Sequence, residues 1–124
     1  MTIRYVPPVS FTSKRLILDN EKLRRANAKV TTGTAYKYGD LLTLSAANVL
    51  THATDESTWD VICGQDVTAS EATIKATDGI EIPVYYGGVF NIEAVSLNGA
   101  VLDAAKYDAA RAKATKNKIE LSKV

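Results

Sequence analysis

His52 and Cys63 carry the most versatile side-chain chemistry in this chain, and the sequence holds one residue of each type. A zinc site takes three or four such ligands, so two residues eleven positions apart supply too few. Nucleophilic catalysis needs a nucleophile beside an oriented base, and no nucleophile-elbow pattern is present. We therefore predict no metal, no cofactor and no catalytic residue. Cys63 is expected to be a small buried hydrophobe, and His52 to be exposed or hydrogen-bonded at a strand end.

Carboxylates and glycines offer little more. The pairs Asp55/Glu56 and Asp60/Asp66 fall in predicted polar loops, where such residues ordinarily form solvated turns. The seven glycines are scattered, and none has the spacing of a phosphate-binding loop. An enzyme is accordingly the least favoured of three hypotheses, because it would need a pocket that joins His52 to Cys63.

Aromatic residues suggest contacts with other molecules. The chain has six tyrosines and Trp59, but acidic residues surround most of them and would repel the phosphates of a single-stranded nucleic acid. Tyr36/Tyr38 and Tyr85/Tyr86 are expected to anchor a core or an interface, and Trp59 to lie in the core. The second hypothesis, a host-surface or carbohydrate-binding module, requires instead that Trp59 be exposed together with Tyr85 or Tyr86.

The hydrophobic pattern predicts short strands in one sheet. Residues 82–86 and 89–93 flank Gly87-Gly88, a pair able to supply the positive φ angles of a two-residue hairpin turn, and Asn98-Gly99 predicts a further turn. Residues 104–114 are alanine-rich with late cations, which predicts a helix. Other predicted strands are 35–37, 41–44, 49–52, 59–64, 72–75 and 118–121. The predicted fold class is α+β, mainly β: a small antiparallel sheet or partly closed barrel with one C-terminal helix and an extended N-terminal arm.

Charge divides the chain in two. Before Val30, seven basic residues face only Asp19 and Glu21, whereas from 31 to 100 nine carboxylates face Lys37 and Lys75. We assign residues 1–34 to the extended arm, with a short helix from Asp19 to Ala28, and residues 35–124 to a β-rich domain. A basic arm predicts contact with an acidic surface; the alternative is a solvated leader. A net charge of +1 argues against general nucleic-acid binding, and no apolar run is long enough to span a membrane.

An arm that becomes ordered on a partner must bury apolar side chains. Ordering costs roughly 1–2 kcal/mol per residue for the backbone, whereas each hydrogen bond returns about 1 kcal/mol net. The predicted partner contacts of the arm are Ile3, Tyr5, Val6, Val9, Phe11, Lys14, Arg15, Leu16, Ile17, Leu18, Arg24 and Arg25.

Three segments, about two thirds of the chain, resemble one known family. Residues 49–69 (VLTHATDESTWDVICGQDVTA) have its strand, polar loop and apolar strand. Residues 80–97 (IEIPVYYGGVFNIEAVSL) have its paired strands with a glycine turn, and residues 102–121 (LDAAKYDAARAKATKNKIEL) its terminal helix and last strand. In this order of features the chain resembles the head decoration proteins of tailed bacteriophages, lambda type.

The resemblance implies a viral structural protein, made in the host cytoplasm and placed on the outer surface of the virion capsid. Such proteins bind expanded capsids as homotrimers and cement neighbouring subunits, with an N-terminal arm that orders on the shell. The implied partners are the major capsid protein and the chain itself, with no nucleic acid and no membrane. Residues 1–34 depart from the lambda arm because they are basic, so the capsid contact is expected to differ in detail.

Overall fold

The computed structural model describes residues 15–123 as eight strands and two α-helices, with two short 3₁₀ turns. In chain order the elements are β1 (Ile17–Ala28), β2 (Leu41–Leu44), β3 (Leu50–His52), β4 (Val61–Cys63), α1 (Ala69–Asp78), β5 (Ile82–Asn91), β6 (Ser96–Leu97), β7 (Ala100–Val101), α2 (Tyr107–Lys116) and β8 (Ile119–Ser122).

One strand, β5, organises the sheet. β1 pairs with it antiparallel along one edge, while β4 (antiparallel) and β8 (parallel) share its other edge. The path continues from β4 through β2 to β3, so the order is β1-β5-β4-β2-β3. An isolated bridge joins Lys29 to Val49, yet the sheet stays open. The predicted mainly β, α+β fold with a C-terminal helix is confirmed.

The predicted hairpin at Gly87-Gly88 is wrong, because β5 is one continuous strand of ten residues. Other strands satisfy both halves of this segment, so it has no need to fold back on itself. Gly88 does have the expected positive φ, +135°, but Gly87 lies outside that region. The glycines instead accompany register shifts in the β1–β5 pairing, as glycines within strands often do.

The predicted helix from Asp19 to Ala28 is also wrong, since these residues lie in β1. Asp19 does accept a hydrogen bond from the Glu21 amide (2.8 Å), but this local bond lies within an irregular part of a strand. Pairing with β5 overrides a weak helix signal, as tertiary context commonly does. Residues 17–28, which the sequence assigns to the arm, are thus part of the sheet.

The predicted strand at 72–75 is wrong, because these residues lie in helix α1. Thr68 and Glu71 form a capping box at its start, with bonds of 3.1 and 2.8 Å between each side chain and the other residue's amide. Gly79 ends it in the left-handed conformation. Most other elements lie within a few residues of their predicted positions, although Tyr36 forms only an isolated bridge with Val67.

Buried Asp40 ties the small β6–β7 hairpin to the sheet. Its carboxylate accepts hydrogen bonds from the Ser96 hydroxyl, the Lys37 amide (2.8 Å) and the Gly99 amide (3.2 Å). The hairpin turn is the predicted Asn98-Gly99, with φ of 52° and 87°, as a two-residue turn requires. Charge-assisted bonds of this kind compensate the cost of burying the carboxylate.

Gly88→Val is expected to lower the free energy of unfolding by roughly 1–3 kcal/mol, because a branched side chain disfavours a positive φ. A Cβ atom there would also lie 3.1 Å from Cε1 of Phe90 and 3.2 Å from Cδ1 of Leu23. Urea denaturation measures the effect. Ala26→Val, on exposed β1, is the control and should change stability by less than about 0.5 kcal/mol. Equal effects of both variants would contradict the strained position of Gly88.

Candidate functional site

His52 and its neighbours form a structural cluster. Nε2 donates to the carbonyl oxygen of Ala35 (2.7 Å), and the ring stacks on Tyr36 with centroids 5.3 Å apart. Nδ1 lies 3.8 Å from the Asp40 carboxylate. The Ser96 hydroxyl donates to Asp40 and not to His52. A catalytic triad has the histidine between the serine and the acid, so this cluster does not have that arrangement. The predicted hydrogen-bonded histidine is confirmed.

Cys63 is buried, as expected, and its thiol donates to the carbonyl oxygen of Gln65 (3.0 Å). Burial is the main cause that raises the pKa of Cys63 to about 11, so the thiol is protonated at neutral pH. Among residues 15–123, no group of three His, Cys, Asp or Glu side chains could hold a metal ion.

Trp59 is fully buried, which confirms its place in the core. The carbohydrate-binding hypothesis required this residue at the surface, and that premise is wrong. Tyr85 is buried as well, whereas Tyr86 is 46% exposed. Tyr86 without Trp59 is a poor substitute for the paired aromatic surface that the hypothesis invoked.

The structure describes six of the twelve predicted arm contacts, those from Arg15 onward. Leu16 is buried in the core and its carbonyl accepts from the Asn91 amide (2.8 Å), so its side chain is unavailable to a partner. Ile17 and Leu18 are half-buried, and Arg15 is exposed. The contacts outside the described residues are Ile3, Tyr5, Val6, Val9, Phe11 and Lys14.

Arg24 and Arg25 have separate local partners on β5. The guanidinium carbon of Arg25 lies 5.7 Å from the ring centroid of Tyr85, a cation–π distance. Tyr38 packs edge-on against the same ring at 6.3 Å. The side chain of Arg24 covers Gly87 closely: a Cβ atom at position 87 would lie 2.9 Å from its Cγ.

An open groove of about 1060 Å³ lies between β1 and the α2–β8 region. Gly87 and Gly88 of β5 line it, where the absence of side chains leaves space. We call this surface the basic groove, because its lining includes four cations against two carboxylates: Lys22, Arg24, Arg111 and Lys118 against Asp60 and Glu120.

The two carboxylates of the basic groove already have partners. Asp60 accepts from the Leu44 amide (2.9 Å) and lies 4.0 Å from Lys113 Nζ. Glu120 accepts from the Ser122 hydroxyl (2.9 Å). The cations have fewer bonds. Within residues 15–123, the side chains of Lys22, Arg111 and Lys118 form no hydrogen bond or ion pair, and Arg24 bonds only to the neighbouring Leu23 carbonyl.

Sequence reasoning identified only Arg24 among these cations as a contact residue. The late cations of α2 were visible, but they were interpreted as complements to the helix dipole. Their meeting with β1 depends on β1 and β8 flanking the same strand, at positions about a hundred residues apart in the chain. Nothing local in the sequence reports that pairing.

The outer edge of β1 is the second candidate surface. β5 is its only strand partner in the described part of the chain, and most of its residues are exposed. An unpaired edge presents main-chain donors and acceptors to another strand. The charged residues and register shifts of β1 are features that discourage indiscriminate pairing, so a partner must match them.

Comparison with known protein families found no match, and neither did comparison with curated proteins. The likeness to phage decoration proteins therefore stays a prediction from the sequence. In residues 15–123, no helix has the length and apolar character needed to cross a membrane.

Cys63 supplies a pH test of the core. Between its ordinary pKa near 9 and its folded value of about 11, the unfolded chain loses the thiol proton while the folded chain keeps it. The contribution of this group to the free energy of unfolding is therefore fully present below pH 9 and is lost between pH 9 and 11, by roughly 2 kcal/mol. Urea unfolding across this range should show the fall in the wild type relative to Cys63→Val. Parallel pH profiles would mean that the thiol is exposed to solvent.

Proposed function

We propose that this chain is a viral structural protein that binds the outside of an expanded capsid as a homotrimer and cements neighbouring capsid subunits. It acts without catalysis, and its N-terminal segment orders on the shell. The resemblance of three segments to phage decoration proteins gives the class of function. The observation that carries the proposal is β1: a long strand that begins soon after residues 1–14 and has no second strand partner among residues 15–123.

The position of β1 suits a contact made by the chain ahead of it. Its first residues are fixed in the domain, since Leu16 is buried and Ile17 pairs with Phe90. A segment that leaves such an anchor has one end already placed, so less entropy is lost when it binds. Its main chain can add to an open sheet edge of a capsid subunit, and side chains then set the register.

The charge of this region fits the proposed contact. Arg15, Arg24 and Arg25 are exposed, and residues 1–14 contain Arg4 and Lys14 without a carboxylate. A basic surface of this kind favours an acidic shell and is weakened by salt. Three copies joined in one trimer would bind together, so contacts that are weak singly give strong attachment.

The proposal is tested with shells of the major capsid protein encoded in the same genome, assembled and expanded in vitro. The full-length chain is mixed with these shells and sedimented, and bound particles are imaged by electron cryomicroscopy. We expect saturable binding in multiples of three, with density on the outer surface. Wild-type chain that stays in the supernatant at every concentration would overturn the proposal.

A matched pair of variants tests the role of the N-terminal segment. V9D/F11D places charge at two predicted apolar contacts and should weaken shell binding by roughly tenfold or more. Val101→Asp makes the same kind of change at an exposed residue of β7 and should bind as the wild type does. Equal binding by all three proteins would show that the segment is not the contact.

A further inference from the structure

A short acidic turn stands at the start of β5. Residues 78–81 read DGIE, and we call them the acidic turn. Asp78 and Glu81 are exposed and form no hydrogen bond or ion pair within the described residues. Between them Ile80 is 46% exposed, and nearby Ile74 on α1 is 59% exposed. The acidic turn therefore presents two carboxylates that no described residue neutralises, with an exposed isoleucine between them.

The acidic turn is held rigidly in place. The Ile80 and Gly79 amides both donate to the carbonyl oxygen of Lys75, which closes the end of α1, and Ile82 immediately begins β5. Little conformational entropy would be lost when this turn binds, because its backbone is already fixed.

The basic groove complements the acidic turn in charge. Lys22 and Arg24 lie on its β1 side, and Arg111 and Lys118 on its other side, without a carboxylate partner among residues 15–123. The lining also includes Gly87, Gly88 and the half-buried Val89, whereas the side chains of Ile119 and Leu121 are buried in the core. The groove thus offers unpaired cations on two sides, and the acidic turn offers two unpaired carboxylates.

Lys118 lies at the margin of the basic groove because of the way α2 ends. It follows the C-cap residue Asn117 with a φ of 64°, the left-handed conformation that commonly terminates a helix. Its amide donates to the carbonyl oxygen of Thr115 (3.2 Å). Glycine would adopt this conformation at lower cost, so the position can be tested by substitution.

A single copy cannot place its own acidic turn in its own basic groove. Both features belong to β5 or adjoin it, the turn before Ile82 and the groove at Gly87 and Gly88. A strand rises about 3.3 Å per residue, so the two are separated by roughly 20 Å along a rigid strand. Only a second molecule can bring them together.

We infer that the acidic turn of one copy binds in the basic groove of the next copy. This inference deepens the homotrimer of the proposed function and rests on it. The contact is heterologous, so each copy uses its turn on one neighbour and its groove on the other. Such contacts close into a ring when the rotation between copies matches the ring symmetry, and a rotation of one third of a turn gives a trimer.

Two other occupants fit less well. Nucleic acid would bring a continuous row of phosphates to a groove whose four cations are partly offset by Asp60 and Glu120. Residues 1–14 of the chain carry Arg4 and Lys14 and no carboxylate, so the four cations of the groove would repel them. The acidic turn brings only two carboxylates, which match the excess of two cations in the groove lining.

The test is a charge exchange, read by sedimentation velocity of the full-length protein over a range of concentrations. The wild type is expected to form trimers. D78K/E81K reverses the turn and R111E/K118E reverses the groove, and each should weaken association by roughly tenfold or more because like charges then meet. The chain with all four substitutions should associate again, since opposite charges face each other once more.

Three further variants test whether the effects are specific to the two surfaces. Asp103→Lys and Lys116→Glu make the same charge changes at exposed positions outside both surfaces, and both should associate as the wild type does. Asp103 makes no capping hydrogen bond, so its loss is structurally mild. Lys118→Gly relieves the left-handed strain, and it should keep or raise Tm while it weakens association, a combination that a purely structural lysine would not give.

A monomeric wild type at all concentrations, or a fourfold variant that fails to associate although its Tm matches the wild type, would overturn the inference. Added DNA oligonucleotides that bind the groove while the trimer stays intact would also overturn it, in favour of a nucleic-acid site. Shell binding is measured separately. If D78K/E81K and R111E/K118E remain trimeric and still coat shells, the inference fails while the proposed function stands.

Discussion

Everything in this fold depends on the pairing of β5 with three strands at once. β1 uses the whole of one edge, whereas β4 and β8 divide the other edge between them. Because both edges are satisfied, β5 stays extended through Gly87 and Gly88, where isolated sequence rules predict a turn. Removal of β1 would leave a ten-residue hydrophobic strand open to solvent, the situation that promotes aggregation.

Both candidate surfaces follow from that pairing. The register shifts in β1 place Lys22 and Arg24 beside two glycines, and the parallel β8 brings Lys118 to the other side of them. Most of the outer edge of β1 has no strand partner among residues 15–123, because β1 is the last strand of the sheet. Only its end is joined, where the Asn48 side chain donates to the carbonyl oxygen of Asn27 (3.1 Å) and Lys29 bridges to Val49. One arrangement of strands therefore yields both the basic groove and an exposed edge beside the N-terminal segment.

Features that depend on neighbouring residues or on side-chain polarity were predicted correctly from the sequence. Asn98-Gly99 takes the turn that its conformational freedom favours, Trp59 and Cys63 are buried, and the alanine-rich segment is helical. The failures at Gly87-Gly88 and at residues 19–28 arise from pairings between distant segments, which override local preference. The capping box at Thr68 and Glu71 is present in the sequence, but the β-branched residues Thr73 and Ile74 favoured a strand at 72–75 instead. The groove could not have been predicted, because β1 and β8 meet only through β5.

The central claim is that β1 is a permanent strand of the domain and not a loose arm. Native-state hydrogen exchange of the full-length protein tests it directly, residue by residue. We predict that the β1 amides bonded to β5 exchange only with global unfolding, as slowly as those of β5, while the irregular stretch between Asp19 and Arg24 exchanges faster. Fast exchange throughout β1 with a protected β5 would contradict the account, because the strand would then detach while the rest of the domain stays folded.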